Sequence, residues 1–331
     1  MNKYLITIAI PFYNGYDTTV LILNELASDL DSNYEILISD DNSSFDQSEK
    51  LINFIKNNIN ENSNISYYKN SINLGMDLNF QRCIELSKGK YTWFLGQDDF
   101  IFKTKLESLF NYINHFEPNI IYLNYEINRT WNFKKNFIHT NNSNIVAGDD
   151  LRDFISTTKG NVPHFLPSLI VKTALWPQFE ELEYLSDTYF IQLGAFLEIL
   201  AKHKKWLYIG EPMSIGVIPN DGWQSSVEKK IRIYCGFMKC ILYTYKKYPQ
   251  LYHIYRQQYY KNYYQHLSLS IEGKFEKNIL LNNMLKSPAI FSRSFIIIST
   301  LIEYTPNHIL SIFLKARKMY HYIKNKNHSY K

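Results

Sequence analysis

Cysteine is scarce: the 331 residues contain three, at positions 83, 235 and 240. Their spacing fits no metal-binding pattern and they form no disulfide framework, which points to a reducing compartment. Glycine-rich phosphate loops are missing as well. No G-x-G-x-x-G follows the first apolar run, and no G-x-x-x-x-G-K-[ST] is present. A dinucleotide-dependent dehydrogenase and a P-loop enzyme are thereby disfavoured. Long apolar runs are also absent, since the best, Phe295–Ile302, falls far short of the ~18–20 residues of a membrane span. The opening stretch, MNKYLITIAIPFYNG, is not expected to be a secretory signal, because its apolar run is short and passes into a proline-containing motif.

What is present is a globular composition, 45% hydrophobic and 20% charged, long enough for one large or two modest domains with ample core. The 27 Tyr and 21 Phe, with abundant Asn, Lys and Ile, reflect an AT-rich coding background as much as any function. Charge is unevenly spread. Residues 1–110 hold 9 Lys+Arg against 15 Asp+Glu, whereas residues 221–331 hold 18 against 5. A basic surface in the last third is the expected consequence, facing a membrane or another polyanion. No recognised DNA- or RNA-binding pattern accompanies it, so nucleic acid is not an expected partner.

The most informative stretch is Lys90–Phe102, KYTWFLGQDDFIF. Tyr91–Leu95 is an apolar and aromatic run suited to a strand buried on both faces. It stops at Gly96, and the paired acids Asp98 and Asp99 follow, with a helical pattern from Thr104. Either the pair caps that helix, or it meets a divalent cation that also binds phosphate oxygens. Upstream, Tyr4–Ile10 reads as a strand closed by Pro11, and Asp17 as the cap of a helix carrying Val20, Leu23 and Leu26. Tyr34–Ser39 is a second strand, ending in Asp40-Asp41-Asn42-Ser43-Ser44, and a helix follows over 47–58. Ile65–Lys69 is a third strand; Asn73-Leu74-Gly75 then turns the chain into a helix that Gly89 ends. A helix over Thr104–Phe116 and a strand over Asn119–Ile127 come next. Alternating strands and helices predict an α/β fold with a mostly parallel, Rossmann-like sheet, whose strand ends bring Pro11–Asn14, Asp40–Ser44 and Gln97–Asp99 to one edge.

Ile8-Ala9-Ile10-Pro11-Phe12-Tyr13-Asn14, Ile38-Ser39-Asp40-Asp41-Asn42-Ser43, Asn73-Leu74-Gly75 and Gly89-Lys90-Tyr91 through Gln97-Asp98-Asp99 occur in an order that resembles family 2 glycosyltransferases of the A-type nucleotide-diphospho-sugar fold. The string GKYTWFLGQDD is further similar to the abequosyltransferase-like branch of bacterial surface-polysaccharide enzymes. The resemblance covers roughly residues 1–125. It implies that Pro11 and Tyr13 lie beside the nucleotide and that Asp40 and Asp41 hold its base or ribose, with Asp41 favoured for the base and stabilisation of the turn the alternative for Asp40. Asn73 and Gly75 would shape the loop over the nucleotide. Asp98 would contact the ribose or sugar, and Asp99, with Asp98, a divalent cation such as Mg²⁺ or Mn²⁺. Gln97 stands where many relatives carry a first Asp. The resemblance also implies an inverting reaction whose base is an acid at the start of a helix in the second half. Asp187, just before the helical run Thr188–Leu200, fits that position best, with Glu183 as runner-up.

Beyond residue 128 the pattern is less regular. Asn161–Ser168 reads as a proline-framed turn before the apolar Leu169–Val171, and its His164 either faces a sugar or is structural. Trp206–Ile209 reads as a short strand. The turn Ile218–Trp223 sets Asp221 and Trp223 where an aromatic face could receive a sugar ring or simply anchor a loop. Val227–Tyr248 and Leu251–Ile271 read as helices, and Ile309, Ile312, Phe313 and Ala316 recur at helical spacing among Lys315, Arg317 and Lys318. Such a basic amphipathic helix can lie at an anionic membrane surface or pack on the domain. The expected division is a nucleotide-sugar half (1–127), an acceptor half of the same α/β domain (128–225) and a helical C-terminal region (226–331). The expected function is transfer of a sugar from a nucleotide-diphospho-sugar donor to a glycan acceptor, lipid-linked in the membrane reading, during lipopolysaccharide or capsule assembly. The expected location is cytoplasmic and, in the membrane reading, peripheral on the inner face of the plasma membrane. A silent nucleotide-sugar-binding scaffold and a sugar nucleotidyltransferase are the alternatives; the paired acids weigh against the first and the missing glycine-rich loop against the second.

Overall fold

Side chains alternate between the faces of a strand, and the long apolar runs of this chain use both sides. The computed structural model describes residues 3–27, 33–59, 64–128, 136–138, 144–217 and 227–258. Its first half alternates strand and helix: β1 (Tyr4–Phe12), α1 (Tyr16–Leu26), β2 (Tyr34–Asp40), α2 (Phe45–Asn58), β3 (Ile65–Lys69), α3 (Met76–Leu86) and β4 (Gly89–Phe94). Then come β5 (Phe100–Ile101), α4 (Leu106–Phe116), β6 (Ile120–Asn128), β7 (Asn136–Ile138), β8 (Ile145–Gly148) and α5 (Leu151–Thr158). The remaining elements are β9 (Leu169–Lys172), α6 (Phe179–Leu182), α7 (Ile191–His203), β10 (Trp206–Val217) and α8 (Val227–Lys247).

The strands form one sheet in the order β3-β2-β1-β4-β9-β6-β10-β5, with β7 added beside β6 and β8 beside β10. β1 is parallel to β2 and β4, and β2 to β3. β9 is reversed, antiparallel to both β4 and β6. Two reversals restore the direction, so β6 and its parallel neighbour β10 point the same way as β1. Six strands therefore end on one edge, and the α/β architecture expected from the alternation is the one observed. Ile6, Ile8 and Ile10 of β1 join Tyr91, Trp93, Ile121, Leu123, Leu207 and Ile209 on the face covered by α1, α2 and α4. Ala9, Leu37, Phe94, Tyr122 and Tyr208 face the other way, against α3, α5, α7 and α8. Each fully buried Ile of β1 contributes roughly 1.5–3 kcal/mol relative to an exposed one.

Several sequence expectations shift. Gly15, not Asp17, precedes α1; Asp17 sits in its first turn, where a carboxylate still favours the helix dipole. A 3₁₀ turn over Lys103–Lys105 leads into α4, and Asp98 and Asp99 cap neither segment. The helix expected from Thr188 starts at Ile191 and reaches His203. The short strand at Trp206 runs on to Val217, with its register against β6 shifting around Pro212. A proline lacks the ladder donor and is accommodated at such a bulge. The turn holding Asp221 and Trp223, and the chain from 259 onward with its basic amphipathic stretch, lie outside the described residues.

Candidate active site

The β1 and β2 ends are stitched together before any ligand is considered. Pro11 lies near the end of β1, and Tyr13 follows the strand with half its surface exposed (51%). Asn14 takes a left-handed conformation (φ 51°). Its amide donates to Ser43 Oγ (2.9 Å) and its Oδ1 accepts from the Ser44 amide (2.9 Å). Asp40 is completely enclosed. It accepts from the Ser43 amide (2.7 Å), from Ser48 Oγ (2.6 Å) and from the Tyr67 hydroxyl. Such a carboxylate fixes the turn, the alternative to the nucleotide contact expected of Asp40 from sequence.

Asp41 reaches the opposite way, into the loop after β3. Its Oδ1 accepts from the Leu74 amide (2.7 Å) and Asn70 Nδ2 (3.1 Å), and its Oδ2 from the Gly75 amide (2.9 Å). Asn73 Oδ1 also accepts from the Gly75 amide (3.1 Å). Gly75 has φ 81°, a conformation that a side chain disfavours. Asn79, one turn into α3, completes the staple: it donates to the Ser39 carbonyl (3.0 Å) and accepts from Ser39 Oγ (2.7 Å).

After β4 the chain turns through Gly96-Gln97-Asp98-Asp99. The Gln97 side chain clamps one backbone unit of the β1 turn, accepting from the Tyr13 amide (2.8 Å) and donating to the Tyr13 carbonyl (3.1 Å). The residue that replaces a first acid is thus a clip between two strand ends. A Cβ on Gly96 would collide with the Asp99 carboxylate, so only glycine lets the turn close this tightly. Asp99 is buried and accepts from the Val217 amide (3.2 Å) at the end of β10. Burial raises the pKa of Asp98, and burial together with the Asp98 charge raises that of Asp99 well above the carboxylate range. Two such groups gain most from a cation between them and a ligand. Among the described residues no cluster of three or more His, Cys, Asp or Glu side chains could hold a metal ion. A hard divalent cation can nevertheless be held by one or two carboxylates when it completes its shell with substrate oxygens.

The second half supplies acids from another direction. Asp187 is exposed, with φ 63°, in the turn before α7, and Glu183 is exposed at the start of a 3₁₀ turn. Asp187 is not the helix cap; no residue next to α7 supplies one. The buried Asp77 of α3 does so instead, accepting from the Tyr189 (2.9 Å) and Ile191 (3.2 Å) amides. Burial raises its pKa to about 6, with the Asp187 charge a lesser contribution. His164 is exposed, with Nδ1 3.2 Å from the Val162 carbonyl and its ring edge-on to Phe237 (5.8 Å). Sequence reasoning did not single out Asp77 or Asn79, and it noted Gln97 only as a departure. Their partners lie 112, 40 and 84 residues away, with no local pattern to betray them.

The carboxyl edge of the sheet gathers a β1 turn, an acid pair after β2 and an x-Asp-Asp turn after β4, the arrangement expected from the resemblance to the A-type glycosyltransferase fold. Residues 7–167 match the family model described as glycosyl transferase family 2. Abequosyltransferase RfbV of Salmonella typhimurium is 30% identical over 207 residues, 58% of this chain and 61% of the relative. The Escherichia coli UDP-Glc:alpha-D-GlcNAc-diphosphoundecaprenol beta-1,3-glucosyltransferase WfgD is 27% identical over 127 residues, 38% of this chain and 48% of the relative. The matches thus span less than two thirds of either relative. S. aureus TarS (residues 1–349), solved with UDP-GlcNAc, superposes with a TM-score of 0.64 over 90% of this chain and 88% of that one. At 14% identity that likeness is one of fold.

Proposed function

We propose that this chain transfers a sugar from a nucleotide-diphospho-sugar to a hydroxyl of a growing bacterial surface glycan, with inversion at the anomeric carbon. The observation that carries this reading is the Asp98–Asp99 pair at the sheet edge, half-buried Asp98 beside buried Asp99, in the turn that Gln97 clips to Tyr13. Tyr13 and Asp41 flank the nucleotide base, Pro11 lines its entry, and the Asn73–Gly75 loop that Asp41 holds lies over it. Asp40 acts through the turn it fixes. Asp98 faces the ribose or sugar. Asp98 and Asp99 would hold a Mg²⁺ or Mn²⁺ ion, which when bound offsets the charge building on the departing diphosphate.

Asp187 takes the proton from the acceptor hydroxyl, whose oxygen attacks the anomeric carbon from the side opposite the diphosphate. One carbon–oxygen bond forms as the other breaks, and the electron pair leaves with the nucleoside diphosphate. The exposure of Asp187 in a turn, where it caps no helix, supports this reading, since a base must meet its substrate. His164 and, outside the described residues, Asp221 and Trp223 are the acceptor- or sugar-side candidates. WfgD is named for an acceptor on diphosphoundecaprenol. A lipid-linked acceptor would make the excess of 18 Lys+Arg over 5 Asp+Glu in residues 221–331 useful, by holding the enzyme on the inner membrane surface. No helix among the described residues is long and apolar enough to cross a membrane.

The direct test is Asp99→Asn. The variant is expected to fold, because one carboxylate at a sheet edge is replaced by its isostere, and to lose transfer by ~10²–10³-fold, the effect of removing one group that stabilises developing charge. Wild-type turnover in this variant, or undiminished turnover of the wild type in excess EDTA, would remove the metal assignment.

A further inference from the structure

Asp77 belongs to no part of the reaction just described, yet it is among the most enclosed carboxylates in the molecule, 4% exposed. It lies in the first turn of α3, two residues after Gly75, whose amide Asp41 holds at 2.9 Å. Its two oxygens cross to the other half of the chain and accept from the Tyr189 (2.9 Å) and Ile191 (3.2 Å) amides. The segment they grip is unusual. Asp187 (φ 63°) and Tyr189 (φ 67°) are both left-handed, a conformation that residues with a Cβ keep only where the surroundings determine it. Thr188 between them donates to the Leu185 carbonyl (2.6 Å) and accepts from the Phe190 amide (3.1 Å). From the far side α8 closes the turn, with Phe237 at 5.3 Å from the Phe190 ring and Arg232 at 5.1 Å over Tyr189.

We infer that Asp77 is a positioning residue for the base: it fixes the turn carrying Asp187 to the same loop that Asp41 draws over the nucleotide. The inference rests on the assignment of Asp187 above. Its physical content is a continuous path, from Asp41 through the Leu74 and Gly75 amides into α3, and from Asp77 through two further amides to Asp187. Nucleotide-side and acceptor-side acids thereby share one rigid element. Displacement of a reacting group by about 1 Å costs on the order of 10²-fold in rate, so losing this tether acts on turnover before it acts on donor binding. An ordinary helix cap would lower stability and leave the two kinetic constants alike.

The experiment compares Asp77→Ala and Asp77→Asn, each alone and combined with Asp187→Asn. Turnover is read as nucleoside diphosphate release from the most active of a panel of UDP-, GDP-, CDP- and dTDP-sugars in Mn²⁺. Hydrogen–deuterium exchange over residues 186–192 is read on the same proteins without ligand. Asp77→Ala is expected to lower kcat about 10–100-fold with donor KM within about twofold, and to speed exchange in that segment while β1 and β4 stay protected. Asp77→Asn, which keeps one acceptor, falls between. In the Asp187→Asn background the same change adds less than about twofold, since residues acting through one another are not additive. Equal losses in both backgrounds, or unchanged exchange in Asp77→Ala, would overturn the inference. Wild-type turnover in Asp187→Asn alone would instead remove the base assignment, and a different variant would report it.

Discussion

Asp98 and Asp99 show how one residue's chemistry depends on its neighbour. Burial makes both harder to ionise, the charge of half-buried Asp98 adds to the effect on buried Asp99, and nearby positive charge would relieve both. Asp187 is the opposite case, an exposed acid held by backbone conformation. Its replacement by Asn is expected to reduce transfer by roughly 10²–10⁴-fold while nucleotide binding, read by thermal shift, stays near normal. Loss of transfer in Glu183→Gln with retention in Asp187→Asn would move the base to the other acid. The position of Asp98 and Asp99 was legible because they follow directly on an apolar strand, β4. Gln97 was legible only as a departure, since its clip on Tyr13 spans 84 residues and involves main chain, which sequence does not mark. Asp40 and Asp41 are adjacent, yet one closes its own turn and the other holds a distant loop. A strand's alternation sends neighbours to opposite sides, and that much could be foreseen.

At the scale of elements, α3 links the loop that Asp41 holds to the start of α7. Asp77 joins it to the start of α7, and that contact carries a pH signature. Its pKa is raised from the ordinary aspartate value to about 6 by burial. Between pH 4 and 6 the folded chain therefore keeps a proton that the unfolded chain has lost, and stability falls as pH rises through that window. By linkage the fall is on the order of 3 kcal/mol. Asp77→Asn lacks this titration. Urea midpoints measured from pH 4 to 7.5 are expected to show the wild type losing stability relative to Asp77→Asn up to about pH 6 and running parallel above it. Parallel curves throughout would mean that Asp77 is not titrating in this range. The long elements were readable, the strands β1, β2, β4 and β6 as apolar runs and α8 as an amphipathic helical pattern. The short pieces were not: β5 has two residues and β7 three, too few for a pattern. β9 was visible as an apolar run, but its reversed direction is decided by pairing with β4 and β6, which no local signal encodes.

For the whole molecule, the alternation of strand and helix was enough to foresee an α/β sheet with its acids on one edge, because right-handed crossovers leave few other arrangements. The acceptor side was less legible, since the turn with Asp221 and Trp223 lacks a distinctive pattern. The charge asymmetry makes a separate prediction. Full-length protein is expected to sediment with anionic vesicles, to be released by high salt, and to lose most binding when cut after Pro306. Equal binding to neutral vesicles, or no effect of the cut, would remove the membrane role and leave the transferase reading untouched. The central claim, that the Asp98–Asp99 edge receives a nucleoside diphosphate with a divalent cation, is tested most directly by thermal shift. UDP, GDP, CDP and dTDP are each added with and without Mn²⁺ to the wild type and to Asp99→Asn. Near 100 times its dissociation constant, a bound nucleotide adds about 2.7 kcal/mol, or roughly 5 °C in a domain of this size. The account predicts such a shift for at least one nucleotide, dependent on Mn²⁺ in the wild type and lost in Asp99→Asn; no shift with any of the four, or the same shift in both proteins, would contradict it.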